Sequence, residues 1–457
     1  MTPGLVVRLR PAGPWRIGPD SGARNRVDPI YHSDSVYAAV TGAMARLGRL
    51  EAWLDATARG AEPAVSFSSC FPFLDEIGFV VPPRTIWPPQ SPALMGARVH
   101  WKSARFVPLA VVQSLVAGGR PDENAWSVDG PSECLVPLDR PGPFRTSVRW
   151  GAAVDRLSGA AERHSVSCIE FRAGAGLWLV AAFHDQTAWQ VWCDPVKAAF
   201  RLLADSGFGG ERSRGWGRSE APEFTEGGLP DLIFPPDGPA FDAAVDTLRP
   251  PAATAGEKVS GPDASAGRPP DPLPSAPNET DLGAATTGSG HPEPPPAAPA
   301  ENAPAQPGDG AAVDDSASPL SGSRTETAIG VLELEEPVEV AEEAAEEEPV
   351  PEALPQEAPV VASGPKAHWL LSLFTPSEQD AVDWSRGNYW LVERGGRIDS
   401  PAGSGELKKT LQMVGEGSVI YAPAAPLGAA PDVAPGGFPH PVFRAGFAVS
   451  VPLPEVS

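Results

Sequence analysis

The chain has 457 residues, with 56 prolines, 47 glycines and 58 acidic against 35 basic side chains, for a net charge of −23. Its length suits two or three domains. Four cysteines without a C-x-x-C pair and seven histidines without an H-x₃₋₅-H spacing argue against a zinc site, and no apolar run reaches the ~18 residues of a membrane helix.

Both the aromatic residues and the charge are unevenly spread. Between Pro251 and Gly364 there is no Phe, Trp or Tyr, although the chain holds 17, 13 and 4 of them. The same stretch has 20 prolines and 22 acidic against 3 basic residues, a net of −19 that leaves only −4 for the rest. Such a segment cannot build a core, so residues 226–365 are expected to be a disordered Pro/Ala/Glu-rich linker. The acidic run from Glu333 to Glu348 would allow a short helix. With no secretory signal at the N-terminus and free thiols at Cys70, Cys134, Cys168 and Cys193, the expected setting is cytoplasmic.

Taken from the N-terminus, residues 5–10 alternate as a first strand, and a Pro/Gly-rich loop over 11–29 carries Arg16, Arg24 and Arg26. His32-Ser33-Asp34 opens a helix with Ser33 as N-cap and with Val36, Val40, Ala43 and Leu47 on one face. Residues 67–74 and 78–83 read as a strand pair, as do 164–171 and 177–183 around the turn 172–176. A helix over 195–206 follows, with Gly207 as its C-cap. The order β-α-β-β-α-β is the ferredoxin-like plan, and the fold class is α+β. Two segments mix cations with aromatics and suit an RNA groove: one with Lys102 and Arg105, the other with Arg149, Trp150 and Arg156.

The densest signal is Gly207-Phe208-Gly209-Gly210-Glu211-Arg212-Ser213-Arg214-Gly215-Trp216-Gly217. No Gly-Lys-Ser/Thr follows, so a nucleotide-hydrolysing P-loop is not supported. Glycines let main-chain N–H groups converge on anionic oxygens, and Arg212 and Arg214 add permanently charged forks. Phe208 or Trp216 could stack on a base, with core packing the other reading of Trp216.

These motifs resemble the RAMP proteins of CRISPR ribonucleoproteins, and in particular the type III-A (Csm) subunit that caps the crRNA 5′ end. The resemblance rests on residues 32–40, Ser68-Ser69-Cys70-Phe71-Pro72-Phe73, Val81-Pro82-Pro83, 102–109, Asp155-Arg156-Leu157-Ser158, Gly176-Leu177-Trp178-Leu179 and the glycine loop. Beyond the linker it continues in 369–376, Gly417-Ser418-Val419-Ile420 and 440–447. It covers residues 1 to about 225 and 366–457. The order favours the Csm subunit over its Cmr counterpart and leaves a type III-D relative open.

The resemblance implies two ferredoxin-like (RRM-like) RAMP domains, 1–225 with the glycine loop and 366–457, separated by the linker. It implies a structural, non-enzymatic subunit without metal or cofactor. That subunit binds the crRNA 5′ repeat-derived tag and bridges the large polymerase-type subunit to the backbone RAMP subunits, with no membrane partner. The RNA-binding residues it implies are Gly207, Phe208, Gly209, Gly210, Arg212, Ser213, Arg214, Gly215, Trp216, Gly217, His32, Ser33, Lys102, Arg105, Arg149 and Arg156. Two alternatives stand beside it: a crRNA-processing endoribonuclease using His32, and a protein-only assembly scaffold.

Overall fold

The computed structural model describes residues 1–18, 23–89, 101–120, 122, 125–235, 364–400 and 403–454. All of these residues belong to one compact unit. The acidic run, the Pro-rich stretch and His100 lie outside the described residues.

This unit mixes helices and strands. Strand β1 (Thr2–Leu9) buries Leu5, Val7 and Leu9 on one face, as its alternation requires. Helix α1 (Ser33–Arg46) buries Val36, Val40 and Ala43 and also Tyr37 and Met44. Leu47, expected on that face, is instead the C-cap residue and 40% exposed. Helix α2 (Leu50–Thr57) brings Trp53 under α1, where it stacks on Tyr37 at 5.7 Å. Short strands β2 (Val65–Phe67), β3 (Phe71–Leu74), β4 (Ile77–Val80) and β5 (Val107–Pro108) follow, then α3 (Leu109–Val116) and the hairpin β6 (Trp126–Asp129) with β7 (Cys134–Pro137).

Next come β8 (Phe144–Val154), β9 (Ala161–Phe171), β10 (Ala175–Phe183), helix α4 (Gln186–Ser206) and β11 (Glu223–Leu229). The main sheet runs β11-β1-β10-β3-β4-β5, and β2 also pairs with β10. The expected ladder between 164–171 and 177–183 does not form. β9 pairs with β8 along its whole length, while the fully apolar β10 goes to the sheet centre between β1 and β3. Burial decides this, since β10 is buried on nearly every residue and β8 is mostly exposed.

Helix α4 begins nine residues before the expected Pro195, which sits inside it. Asp185 caps it by accepting from the Ala188 N–H at 2.7 Å. Trp192 against Trp53 and Trp189 against Phe183 anchor the first turns, and this packing outweighs the proline's missing donor. Strand β11 reaches Leu229 and Ile233 is buried, so folded chain runs past the expected boundary at 225.

The C-terminal part is built from β12 (Lys366–Leu370), β13 (Asp383–Asn388), β14 (Leu391–Arg394), β15 (Arg397–Ser400), β16 (Gly403–Leu407), β17 (Leu411–Val414), β18 (Val419–Ala422), β19 (Gly428–Ala429), β20 (Gly446–Phe447) and β21 (Ser450–Leu453). Its sheet runs β13-β18-β12-β21, and four of the other strands form the pairs β14–β17 and β15–β16. No helix occurs among its described residues, where a second ferredoxin-like half would place two.

Nor does this part have a large core of its own. Trp369, Leu371, Phe447, Val449 and Val451 join the same apolar cluster as β1, α1 and α4. Trp369 Nε1 donates to the Val81 carbonyl at 3.2 Å, and the Arg84 N–H donates to the Gly417 carbonyl at 2.9 Å. The Val81-Pro82-Pro83 segment is therefore a seat for the C-terminal sheet.

Candidate nucleic-acid interface

The glycine loop runs from the end of α4 to β11 and lies under the segment that follows β1. Gly207 closes α4 as its C-cap, its N–H donating to the Leu203 carbonyl. The Gly210 N–H donates to the Arg16 carbonyl at 2.8 Å and the Gly217 N–H to the Pro14 carbonyl at 3.1 Å. These amides are therefore bound to protein, and the glycines mainly permit close backbone packing rather than close approach of a ligand.

Gly209 and Gly217 show the requirement most clearly. Gly209 has φ +89°, and a Cβ there would lie 2.7 Å from the Arg16 carbonyl oxygen. Gly217 has φ +77°, and its Cβ would lie 2.0 Å from the Phe208 carbonyl oxygen. A Gly217→Ala variant is expected to be destabilised by more than about 1 kcal/mol, because the clash adds to the positive-φ cost. Thermal unfolding of the full chain checks it; an unchanged Tm would refute the close packing.

Phe208 is the main correction within the loop. It is 3% exposed and meets Trp15 edge-on at 4.6 Å and Tyr31 at 5.1 Å. Its ring belongs to the core, where burial of apolar area outweighs any stacking role. Trp216 is partly buried.

The loop's exposed face is Arg212-Ser213-Arg214, a single 3-10 turn. Glu211 enters it in the left-handed region at φ 59°, and Arg214 pairs with that carboxylate at 3.2 Å. Arg214 also bonds His164 Nε2 at 3.2 Å, which ties the turn to β9. Gly215 faces open space. A cleft of about 660 Å³ lies nearby, lined by Pro11, Pro14, Arg145, Arg149, Glu170 and Arg172. Glu170 pairs with Arg145 at 3.1 Å and closely with Arg149, which holds its carboxyl below the usual range against the opposing effect of burial. Arg149 and Arg156 are both exposed on the β8–β9 hairpin, Arg156 in its tip turn, and Trp150 on β8 is 68% exposed with Arg163 over its ring.

Lys102 is exposed away from this face, and Arg105 is half-buried and paired with Asp28 at 3.2 Å. Neither the glycine turn nor the cleft includes them.

His32 and Ser33 are not at the surface. The helix's N-cap position is His32 rather than Ser33, and no side chain caps it. The Ser33 hydroxyl instead accepts the Leu373 N–H at 3.0 Å, and the Ser33 N–H donates to Ser69 Oγ at 2.9 Å. His32, 3% exposed, binds Glu416 through Nδ1 at 2.6 Å and Asp28 through Nε2 at 3.1 Å. Burial alone would lower its pKa, but the Glu416 charge and the two hydrogen bonds raise it to about 9. Both ring nitrogens therefore carry protons and donate.

Next to it, Asp34 accepts Arg394 in a fork, at 2.9 Å and 3.1 Å, and also contacts Arg444. All three side chains are buried. The two guanidiniums hold the Asp34 carboxyl well below the usual range although burial opposes this. This cluster fastens the start of α1 to strand β14 and to the segment before β20 in the C-terminal part.

Asp28, Glu416 and Arg394 lie in no segment that the sequence marks as functional, and Arg444, although inside the 440–447 segment, carries no local sign of its pairing with Asp34. Arg16 is another: it is buried and donates to the carbonyls of Ser167, Arg24 and Ala23 at 2.8–3.0 Å, stiffening the segment that crosses the glycine loop. The sole cue was an arginine within a Pro/Gly-rich loop.

Fold and site together define a mixed helix-and-strand protein in which a glycine loop presents a two-arginine turn and the C-terminal part is locked onto the first helix. Residues 364–453 match the family model described as the CRISPR Csm4 C-terminal domain. Its C-terminal part is therefore similar to the C-terminal domain of CRISPR Csm4 proteins. Among solved structures the chain is similar to one of a Csm3–Csm4 subcomplex in the type III-A CRISPR-Cas interference complex. That likeness has 11% identity and a TM-score of 0.49, covering 100% of both chains. It is also similar to one of a Csm1–Csm4 cassette in complex with cA4, at 12% identity and a TM-score of 0.44, covering 100% of this chain and 99% of that one. No curated protein matches the chain.

Proposed function

We propose that this chain is the structural RNA-binding subunit of a type III CRISPR ribonucleoprotein. It holds the crRNA 5′ repeat-derived tag and bridges a large polymerase-type subunit to the backbone subunits. The observation that carries the reading is the Csm4 C-terminal domain at 364–453, seated on the half that bears the glycine loop. The solved structures named above place Csm4 beside Csm1 and beside Csm3, and the same two partner types are assigned to this chain.

Arg212 and Arg214, with the Ser213 hydroxyl, hold phosphates, since guanidinium forks match phosphate oxygens and need no sequence. Arg149 and Arg156 extend the cationic track along the hairpin. The N-terminal half is read as ferredoxin-like: β1, α1, β3, β10, α4 and β11 follow β-α-β-β-α-β order within one sheet. The subunit is read as non-enzymatic, because a general base must reach a ribose hydroxyl, and His32 is buried with both ring nitrogens engaged. A cytoplasmic setting is proposed; among the described residues no helix is long and apolar enough to cross a membrane.

RNA crosslinking of the assembled effector tests this. Crosslinks from this subunit are expected at the 5′ tag, fading in Arg212→Ala/Arg214→Ala. The salt dependence of RNA retention should flatten by about 1.4 in log–log slope, at ~0.7 per phosphate contact on a single strand. Crosslinks unchanged by the double substitution in an intact complex would assign the loop to protein assembly instead.

A further inference from the structure

Strands β8 and β9 pair in unbroken register from Phe144 with Phe171 to Val154 with Ala161, so directly opposed residues share a face of the hairpin. Arg145, Arg149 and Gly151 stand opposite Glu170, Val166 and His164 on one such face, and Trp150 and Arg163 belong to the other. A Cβ at Gly151 would lie 2.9 Å from His164 Nε2, the atom that accepts from Arg214 of the glycine loop at 3.2 Å. The arginine turn is therefore tied to the face that ends, six residues further along β9, at Glu170 and the cleft of about 660 Å³. That run is roughly 20 Å long.

The cleft is cationic, since its charged lining residues are Arg145, Arg149 and Arg172 against Glu170 alone. Arg145 engages Nε and one η nitrogen on Glu170 Oε2, at 3.3 Å and 3.1 Å, and Arg149 engages one η nitrogen on Oε1. Arg172 donates from Nε to the Gly142 carbonyl at 2.8 Å and makes no ion pair among the described residues. A guanidinium carries five N–H donors, so each of the three keeps uncommitted ones. The Arg145 and Arg149 side chains are 66% and 55% exposed and that of Glu170 is 17% exposed. Both guanidiniums are thus open to solvent while the carboxylate between them is largely covered.

Ion pairs this exposed contribute little to stability. Three guanidiniums around one carboxylate leave an excess of positive charge, and planar N–H forks match the oxygens of a phosphate. A phosphate already anchored nearby on the same chain of RNA would reach the cleft at high effective concentration, whereas an unconnected anion would have to compete with Glu170 unaided.

We propose that the cleft is a second phosphate site, in which Arg145, Arg149 and Arg172 hold a backbone phosphate of the single-stranded RNA that crosses the arginine turn, and Glu170 competes with that phosphate for Arg145 and Arg149. This rests on the RNA-binding reading above and extends it along one face of the hairpin. Binding exchanges the two Glu170 ion pairs for phosphate contacts, which makes Glu170 a brake on anions that do not also occupy the turn.

Ethylation of guide-RNA phosphates by ethylnitrosourea in the assembled complex tests this. In the wild type the protected phosphates should include at least one that Arg145→Ala/Arg172→Ala exposes and Arg212→Ala/Arg214→Ala does not. The first pair should also flatten the salt dependence of RNA retention by about 0.7 in log–log slope, the equivalent of one contact on a single strand. Glu170→Gln keeps the side-chain shape and removes the competing charge, so retention at fixed salt should rise about 2–5-fold. The proposal is overturned if Arg145→Ala/Arg172→Ala leaves every phosphate protected in an intact complex, or if it releases a neighbouring subunit instead. In either case Arg212→Ala/Arg214→Ala decides the clamp separately, which stands if that pair exposes phosphates of the tag and falls if it does not. Weaker retention in Glu170→Gln would make Glu170 a brace for the arginines and overturn its role as competitor.

Discussion

Replacing Asp34 with alanine is expected to destabilise the chain by about 3–5 kcal/mol, because it strands two buried guanidiniums without their counter-charge. Asp34 holds both oxygens of its carboxylate against Arg394 and Arg444, and its own side chain is buried. Its place in the first turn of α1 adds a smaller favourable interaction with the helix N-terminus. Thermal unfolding of the full chain should show Tm falling by about 10 °C or more. Replacing Asp34, Arg394 and Arg444 together by apolar residues of similar size should recover most of the loss, since a buried ion cluster contributes little net once no charge is left alone. A single Asp34→Ala change that leaves Tm within a degree would show that this cluster does not lock the C-terminal part to α1.

His32→Ala should have a comparable effect, and it carries a pH signature. The folded-state pKa of His32, raised to about 9, lies above the ~6.5 of an unfolded histidine. Its stabilisation is therefore complete below about 6.5, declines above it, and is lost as pH rises through about 9. In the wild type a plot of unfolding free energy against pH should fall between those values. In His32→Ala that slope should flatten, with overall stability lower because Glu416 is left buried without its cation. Guide RNA recovered with the surviving His32→Ala complex should have wild-type length. Accumulated precursor would instead make His32 a processing residue and overturn the non-enzymatic reading.

The motif His32-Ser33-Asp34 shows how a correct local reading can miss the role of its residues. Helical periodicity placed α1, because apolar spacing acts within a few turns of chain. Apart from Asp28, the partners of these side chains that hold the C-terminal part are Glu416, Arg394, Arg444 and Leu373, more than 300 residues away in sequence. Nothing local marks such a pairing, so polar residues at a helix start looked like ligand contacts. Pro195 misled for the opposite reason: a strong local signal for a helix start was overridden by Trp189 and Trp192 packing upstream of it.

From sequence alone came the aromatic-free acidic segment, the C-cap at Gly207, the arginine turn and the strands β1, β3, β4, β9 and β10. These follow from composition, capping and period-two or period-3.6 patterns, all of which are short-range. Tertiary structure decided that β9 pairs with β8 while β10 enters the main sheet, that Phe208 turns inward onto Trp15 and Tyr31, and that His32 and Asp34 bind side chains of the C-terminal part. Those choices depend on which surfaces lose water together, and burial is a property of the whole packed chain rather than of any window along it.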